Sequence, residues 1–254
     1  MNRLNRKNGE NKSMKVLSKA EYKKYFYYFY DEERFYITKY FKDTVSKVLK
    51  ENFDLKYYDK GRWWYSDWNC HKRMVITLFA SKGITYPMIW GYNYDFIPRL
   101  NNQNKFIWHR TQKSFHLDIE DAYYNYVPVI PKRKRTEEHF FNPEQNSKYQ
   151  YELPIWTNDL EFALKYIEDV VKRNIPFMLD WYQRVQTIED VIGELDKQIA
   201  ISSQYGHWNE YYTKAFLLAK IKCMDEALET MGQIYRNEIP PKIMEKLYQT
   251  SQLE

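Results

Sequence analysis

The stretch Lys60-Gly61-Arg62-Trp63-Trp64-Tyr65-Ser66-Asp67-Trp68, followed by Arg73-Met74-Val75-Ile76-Thr77-Leu78-Phe79-Ala80-Ser81 and Thr85-Tyr86-Pro87-Met88-Ile89-Trp90-Gly91-Tyr92-Asn93-Tyr94, carries the reading of the fold. These runs are dense in β-branched and aromatic residues, which suit a pleated, half-buried surface, and Lys60-Gly61 and Lys82-Gly83 supply turns between them. Outward from here, Phe53 to Tyr58, Lys105 to Arg110, Lys113 to Glu120 and Tyr123 to Ile130 have the same composition, with Asn101-Asn102 as a further turn. Short connections of this kind predict an antiparallel meander, because parallel strands need long crossovers. Phe115, Leu117 and Ile119 alternate with His116, Asp118 and Glu120, which predicts a strand with the first three in the core and the others in water.

Both flanks read as helical. Tyr22, Tyr25, Phe26, Phe29 and Tyr30, then Tyr40, Phe41, Val45, Val48 and Leu49, recur at helical spacing and predict one or two amphipathic helices ending near Asn52. On the far side, Leu160 to Val171 form a stripe with Asn158 and Glu161 as a cap pair. Pro176 is read as the start of a short second helix, and Thr187 with Asp190 as the cap of a third. Tyr211 to Tyr235 predict a helical hairpin turning near Cys223 to Asp225, without the repeat that would make a solenoid. The expected class is α+β, with an antiparallel sheet of about five to seven strands flanked by N-terminal helices and a C-terminal helical region. The expected division is a basic arm over 1–17, a helix-and-sheet domain over 18–130, a Pro-rich basic loop over 131–154 and a helical region over 155–254.

Charge separates the two halves. Up to Lys148 there are 28 basic and 17 acidic residues, and beyond it 11 and 17, so the first half is set to meet something acidic: nucleic acid, an acidic protein or the second half of the chain. Cys70 and Cys223 have no partner spacing and read as reduced cytoplasmic thiols. The first 24 residues lack an apolar run, and no apolar run is long enough for a membrane span, so neither a signal peptide nor a membrane partner is expected.

The seven glycines are isolated, which leaves no phosphate loop, dinucleotide fingerprint or nucleophile elbow. The histidines His71, His109, His116, His139 and His207 are not spaced as metal ligands, so no metal or cofactor is expected. Acid-x-Lys triplets at Glu10, Glu21 and Asp54 are no more than composition gives by chance. Scattered His116, Asp118 and Glu120 would matter only if a pocket gathered them. The strongest binding signal is the basic-aromatic strand, where alternation puts Arg62, Trp64 and Trp68 on one face as candidate anchors, flanked by Lys132, Arg133, Lys134 and Arg135. The competing reading fills both faces of a covered sheet with Trp63 and Trp64.

Val48-Leu49-Lys50-Glu51-Asn52-Phe53, Lys60-Gly61-Arg62-Trp63-Trp64-Tyr65, and Trp156 with Asp159 and Leu164 together resemble a bacterial domain-of-unknown-function family of immunity-like proteins, over about Phe35 to Val185. This chain departs from the family at Phe79-Ala80-Ser81 and in its 131–154 insertion. Some members of the family are associated with polymorphic toxin loci, and it has no established catalytic residues. The resemblance implies a non-enzymatic protein, immunity- or antitoxin-like, that recognises a protein partner such as a toxin or defence component. The alternative reading is a nucleic-acid-associated protein in phage defence, suggested by basic residues interleaved with Trp and Tyr.

Overall fold

Five of the aromatic and β-branched runs become strands of one sheet in the computed structural model, which describes residues 34–58, 63–78, 88–121, 160–201, 208–236 and 238–253. Strands β1 (Lys56–Tyr58), β2 (Trp63–Tyr65), β3 (Lys72–Leu78), β4 (Met88–Tyr94) and β7 (Ile119–Glu120) lie in the order β1-β2-β3-β4-β7. Strands β5 (Arg99–Leu100) and β6 (Phe106–Ile107) pair as a separate ribbon. The β1–β2, β2–β3, β4–β7 and β5–β6 pairs are antiparallel, and with the helices below the protein is α+β. The expected strand over Tyr123 to Ile130 lies outside the described residues.

Local chemistry sets the connections. Between β2 and β3 the chain reverses through Cys70 and His71, whose φ values of 47° and 65° are those of a two-residue hairpin turn, while Asn69 and Lys72 exchange backbone hydrogen bonds of 2.8 and 2.9 Å. Cys70 and His71 therefore form a tight turn. In the β5–β6 ribbon, Asn101 Oδ1 accepts from the N–H groups of Gln103 and Lys105, both at 2.9 Å, and holds that turn closed. Gly91 on β4 lies under β7, where an added Cβ would stand 1.9 Å from the Ile119 carbonyl oxygen, so only glycine lets the two backbones approach.

The expected strand over Lys113 to Glu120 shrinks to Ile119–Glu120. Its inside-outside alternation is also corrected, because Asp118 and Ile119 are both buried. Side chains supply part of the bonding around it: Arg73 takes the Ser114 carbonyl, after those of His109 and Thr111 just before the segment, and the Asp118 carboxylate takes the Tyr94 N–H at 2.7 Å.

Six helices are described: α1 (Arg34–Lys50), α2 (Leu160–Arg184), α3 (Ile188–Ile201), α4 (Trp208–Lys220), α5 (Met224–Gly232) and α6 (Pro241–Ser251). Pro176 lies inside α2 instead of opening a new helix. Its missing N–H falls on the exposed side, where water can take the freed carbonyl. The cap of α3 is as expected, with Asp190 N–H donating to Thr187 Oγ1 at 3.1 Å and Thr187 N–H to Asp190 Oδ2 at 2.9 Å. The expected cap at Asn158 lies outside the described residues.

Two compact units interleave along the chain. One takes Met1–Phe53, Leu78–Met88 and Tyr123–Ile175, and the other Asp54–Thr77, Ile89–Ala122 and Pro176–Glu254. In the first, Val45, Val48, Leu49 and Phe53 are buried, and the N–H groups of Asn52 and Phe53 fold back on the Leu49 carbonyl to end α1. In the second, Trp181 and Tyr182 pack on Tyr92 with ring centroids 5.3 Å away. The Tyr182 hydroxyl accepts from the Gly91 N–H at 3.2 Å and donates toward the carbonyls of Val75 and Gly91, each at 3.1 Å, so it sits between β3 and β4. Burial pushes this phenol well above its ordinary pKa. Helix α4 packs on α3, α5 and α6, and its Tyr212, Ala215, Phe216 and Ala219 are buried.

Candidate functional site

The site is built outward from two buried guanidinium groups of the second unit. On β5, Arg99 donates to Asp118 Oδ1 through Nε at 3.1 Å and Nη2 at 2.7 Å. Asp118 Oδ2 accepts from Asn93 Nδ2 at 3.0 Å and from the Tyr94 N–H, so this carboxylate is surrounded by donors. Thr213 on α4 closes the group, accepting from Arg99 Nη2 at 2.7 Å and donating to the Asp118 carbonyl at 2.9 Å. A buried ion pair is a modest source of net stability, but its geometry holds β4, β5, β7 and α4 in one arrangement.

The second group is Arg73 on β3, 2% exposed. It donates to Asn93 Oδ1 at 3.0 and 2.6 Å and to the carbonyls of Thr111 (3.1 Å), Ser114 (2.7 Å) and His109 (3.4 Å). Burial pulls its pKa down to about 10, which leaves it charged at neutral pH. The outer side of this guanidinium is roofed by aromatic rings, Trp68 at 4.4 Å and Phe115 at 4.5 Å. Trp68 Nε1 donates to the Arg110 carbonyl at 3.1 Å, and the Arg110 guanidinium stacks 3.7 Å from the centre of the Trp108 ring. Arg73 thus fixes from inside a loop that presents Trp108, Arg110 and Lys113 at the surface.

A cationic border continues from this loop. Lys242 and Lys246 of α6 stand 6.0 and 5.8 Å from the Phe106 ring, and Lys242 donates to the Asn104 carbonyl at 2.8 Å. Ile107 and Lys105 are exposed beside them. Between Asp95 and Asp118 the sequence has no Asp or Glu at all, while Arg99, Lys105, Arg110 and Lys113 fall inside that gap. Counting carboxylate-free windows would have pointed here, where searching for dense basic runs pointed to Lys132 to Arg135.

Histidines sit between the two guanidinium groups. The His109 and His116 rings stack 5.2 Å apart, with His116 Nε2 at 4.0 Å from Asp118 Oδ1. Burial, and then the charge of Arg99, hold the His116 imidazole down to about 4. Burial also lowers the pKa of His109, whose Nδ1 is hydrogen-bonded to Ser114 Oγ at 2.9 Å. That Ser–His contact lies in a loop whose carbonyls, not its N–H groups, converge on Arg73, so it orders the loop. Glu120 gives its carbonyl to Gln198 Nε2 at 2.9 Å and stays on β7.

The expected anchors divide. Trp64 is 2% exposed with its ring 4.9 Å from that of Tyr57, so it belongs to the core and is withdrawn from the site. Trp68 is half-buried at the rim. Arg62, Lys132, Arg133, Lys134 and Arg135 lie outside the described residues. Among the described residues no group of three or more His, Cys, Asp or Glu could hold a metal ion, and no helix is long and apolar enough to cross a membrane. No family model, curated protein or solved structure matches the chain.

Proposed function

We propose that this is a non-enzymatic bacterial binding protein of immunity or antitoxin type, which blocks a protein partner by surface recognition. The observation that supports this most is the fixed rim of Trp68, Trp108 and Arg110, anchored by the hydrogen bonds of one buried arginine. Recognition surfaces gain affinity when aromatic and arginine anchors are ordered before the partner arrives, since less freedom is lost on binding. The family resemblance of the 48–65 motifs points the same way.

Co-expression with the products of the genes flanking its own tests the reading. The expected result is a complex that survives purification, together with restored growth where the neighbour alone is toxic. A well-folded protein that neutralises no flanking product and binds none of them overturns it. The second reading, a nucleic-acid-associated protein, draws on the carboxylate-free run. A gel shift on DNA and RNA at low salt, where phosphate contacts are strongest, separates the two.

A further inference from the structure

We infer that the partner's contact face is acidic, a protein surface whose carboxylates dock on the rim formed by Lys105, Arg110 and Lys113. The inference rests on the binding reading above and names the chemistry of the same site.

Three observations carry it. The first is charge: all three cations are exposed, and no carboxylate is encoded from residue 96 to residue 117, so the loop has no acid of its own to neutralise them. The second is posture. The Arg110 guanidinium lies on the Trp108 ring at 3.7 Å and its Nε donates to the Asp95 carbonyl, which steadies the group while its terminal N–H fork stays on the exposed side chain. A guanidinium stacked on an aromatic face keeps its N–H donors in its own plane, beside the ring and not against it, where the planar fork can meet a carboxylate with two parallel hydrogen bonds. The third decides between polyanions. Single-stranded nucleic acid needs, besides phosphate contacts, bare aromatic faces on which its bases stack. Here Arg110 already covers a face of Trp108, Arg73 a face of Trp68, and two lysines approach Phe106. The rings serve as backing for cations, which favours carboxylates over bases.

The test uses the full chain and the triple variant Lys105→Glu, Arg110→Glu, Lys113→Glu, with a thermal melt to confirm that the variant folds. Two labelled probes are titrated at low salt, a Glu- and Asp-rich peptide and a single-stranded oligothymidine. The expected result is that the peptide binds, that the triple variant binds it at least tenfold more weakly, and that added salt weakens it further. An unchanged peptide affinity, or no peptide binding, overturns the inference. Tighter binding of oligothymidine, lost in the variant, overturns it in favour of nucleic acid. If the triple variant unfolds, the single exchanges Lys105→Glu and Lys113→Glu carry the same comparison. The neutralisation assay keeps the two failures apart: full neutralisation by the triple variant sinks this inference alone, whereas peptide binding by a protein that neutralises nothing sinks the functional reading alone.

Discussion

At the scale of the residue, Trp64 is a core side chain wedged against Tyr57 and paired in register with Ile76. Trp64→Ala would leave a cavity and cost about 3–5 kcal/mol of stability, read as a sharply lowered melting temperature. Trp68→Ala removes a ring over an arginine, expected to cost only about 1 kcal/mol while weakening partner binding, so the two variants separate fold from site in one pair of melts and titrations. Strand alternation put both tryptophans on one face, and the reason it failed is physical. β2 ends at Tyr65, and beyond it the chain turns to place the Trp68 indole N–H on Arg110, so the period of two had no strand left to run along. His116 adds a pH dependence. Its folded pKa, about 4, lies below the ordinary 6.5, so in that window the unfolded chain takes up a proton that the folded one refuses. Stability is therefore present above the ordinary value and is lost as pH falls through the window. Thermal melts followed down through it should show the drop, and His116→Gln should flatten it.

Elements that close on their own local bonds were legible, and those closed by distant side chains were not. The Thr187–Asp190 cap and the α4–α5 hairpin both stand where their residues pointed, because caps and turns are short-range bargains between a side chain and its own backbone. The segment from Lys113 to Glu120 looked like a strand by composition, yet only Ile119–Glu120 joins the sheet, and Arg73, about forty positions earlier in the chain, holds the Ser114 carbonyl instead. The α4–α5 connection carries a prediction of its own. Lys222 has φ of 66°, its N–H bonds the Ala219 carbonyl at 3.0 Å, and the Cys223 N–H bonds Leu218 at 2.9 Å, a helix stop that normally uses glycine. Lys222→Gly relieves the left-handed strain and should stabilise the protein by about 1 kcal/mol, seen as a rise of roughly 2–4 °C in melting temperature.

At the scale of the whole molecule, the α+β class and a sheet built on the aromatic runs were readable, because burying so many rings requires broad layers. The interleaving of the two units was not. A Pro-rich segment such as 131–154 invites a linker reading, but nothing local announces that 54–77, 89–122 and 176–254 share one unit. Among the long-range bonds that cross it are Tyr182 with Gly91, 91 residues apart, and Thr213 with Asp118, 95 residues apart. Their consequence falls on biosynthesis. A ribosome adding about 5–20 residues per second needs roughly 5–20 s after finishing β4 before it has made Tyr182, and a similar delay separates Asp118 from Thr213. Through that interval the nascent sheet carries Arg99 and Asp118 without the helix that seals them, so the order of synthesis sets how long the chain must be shielded before its interior can close.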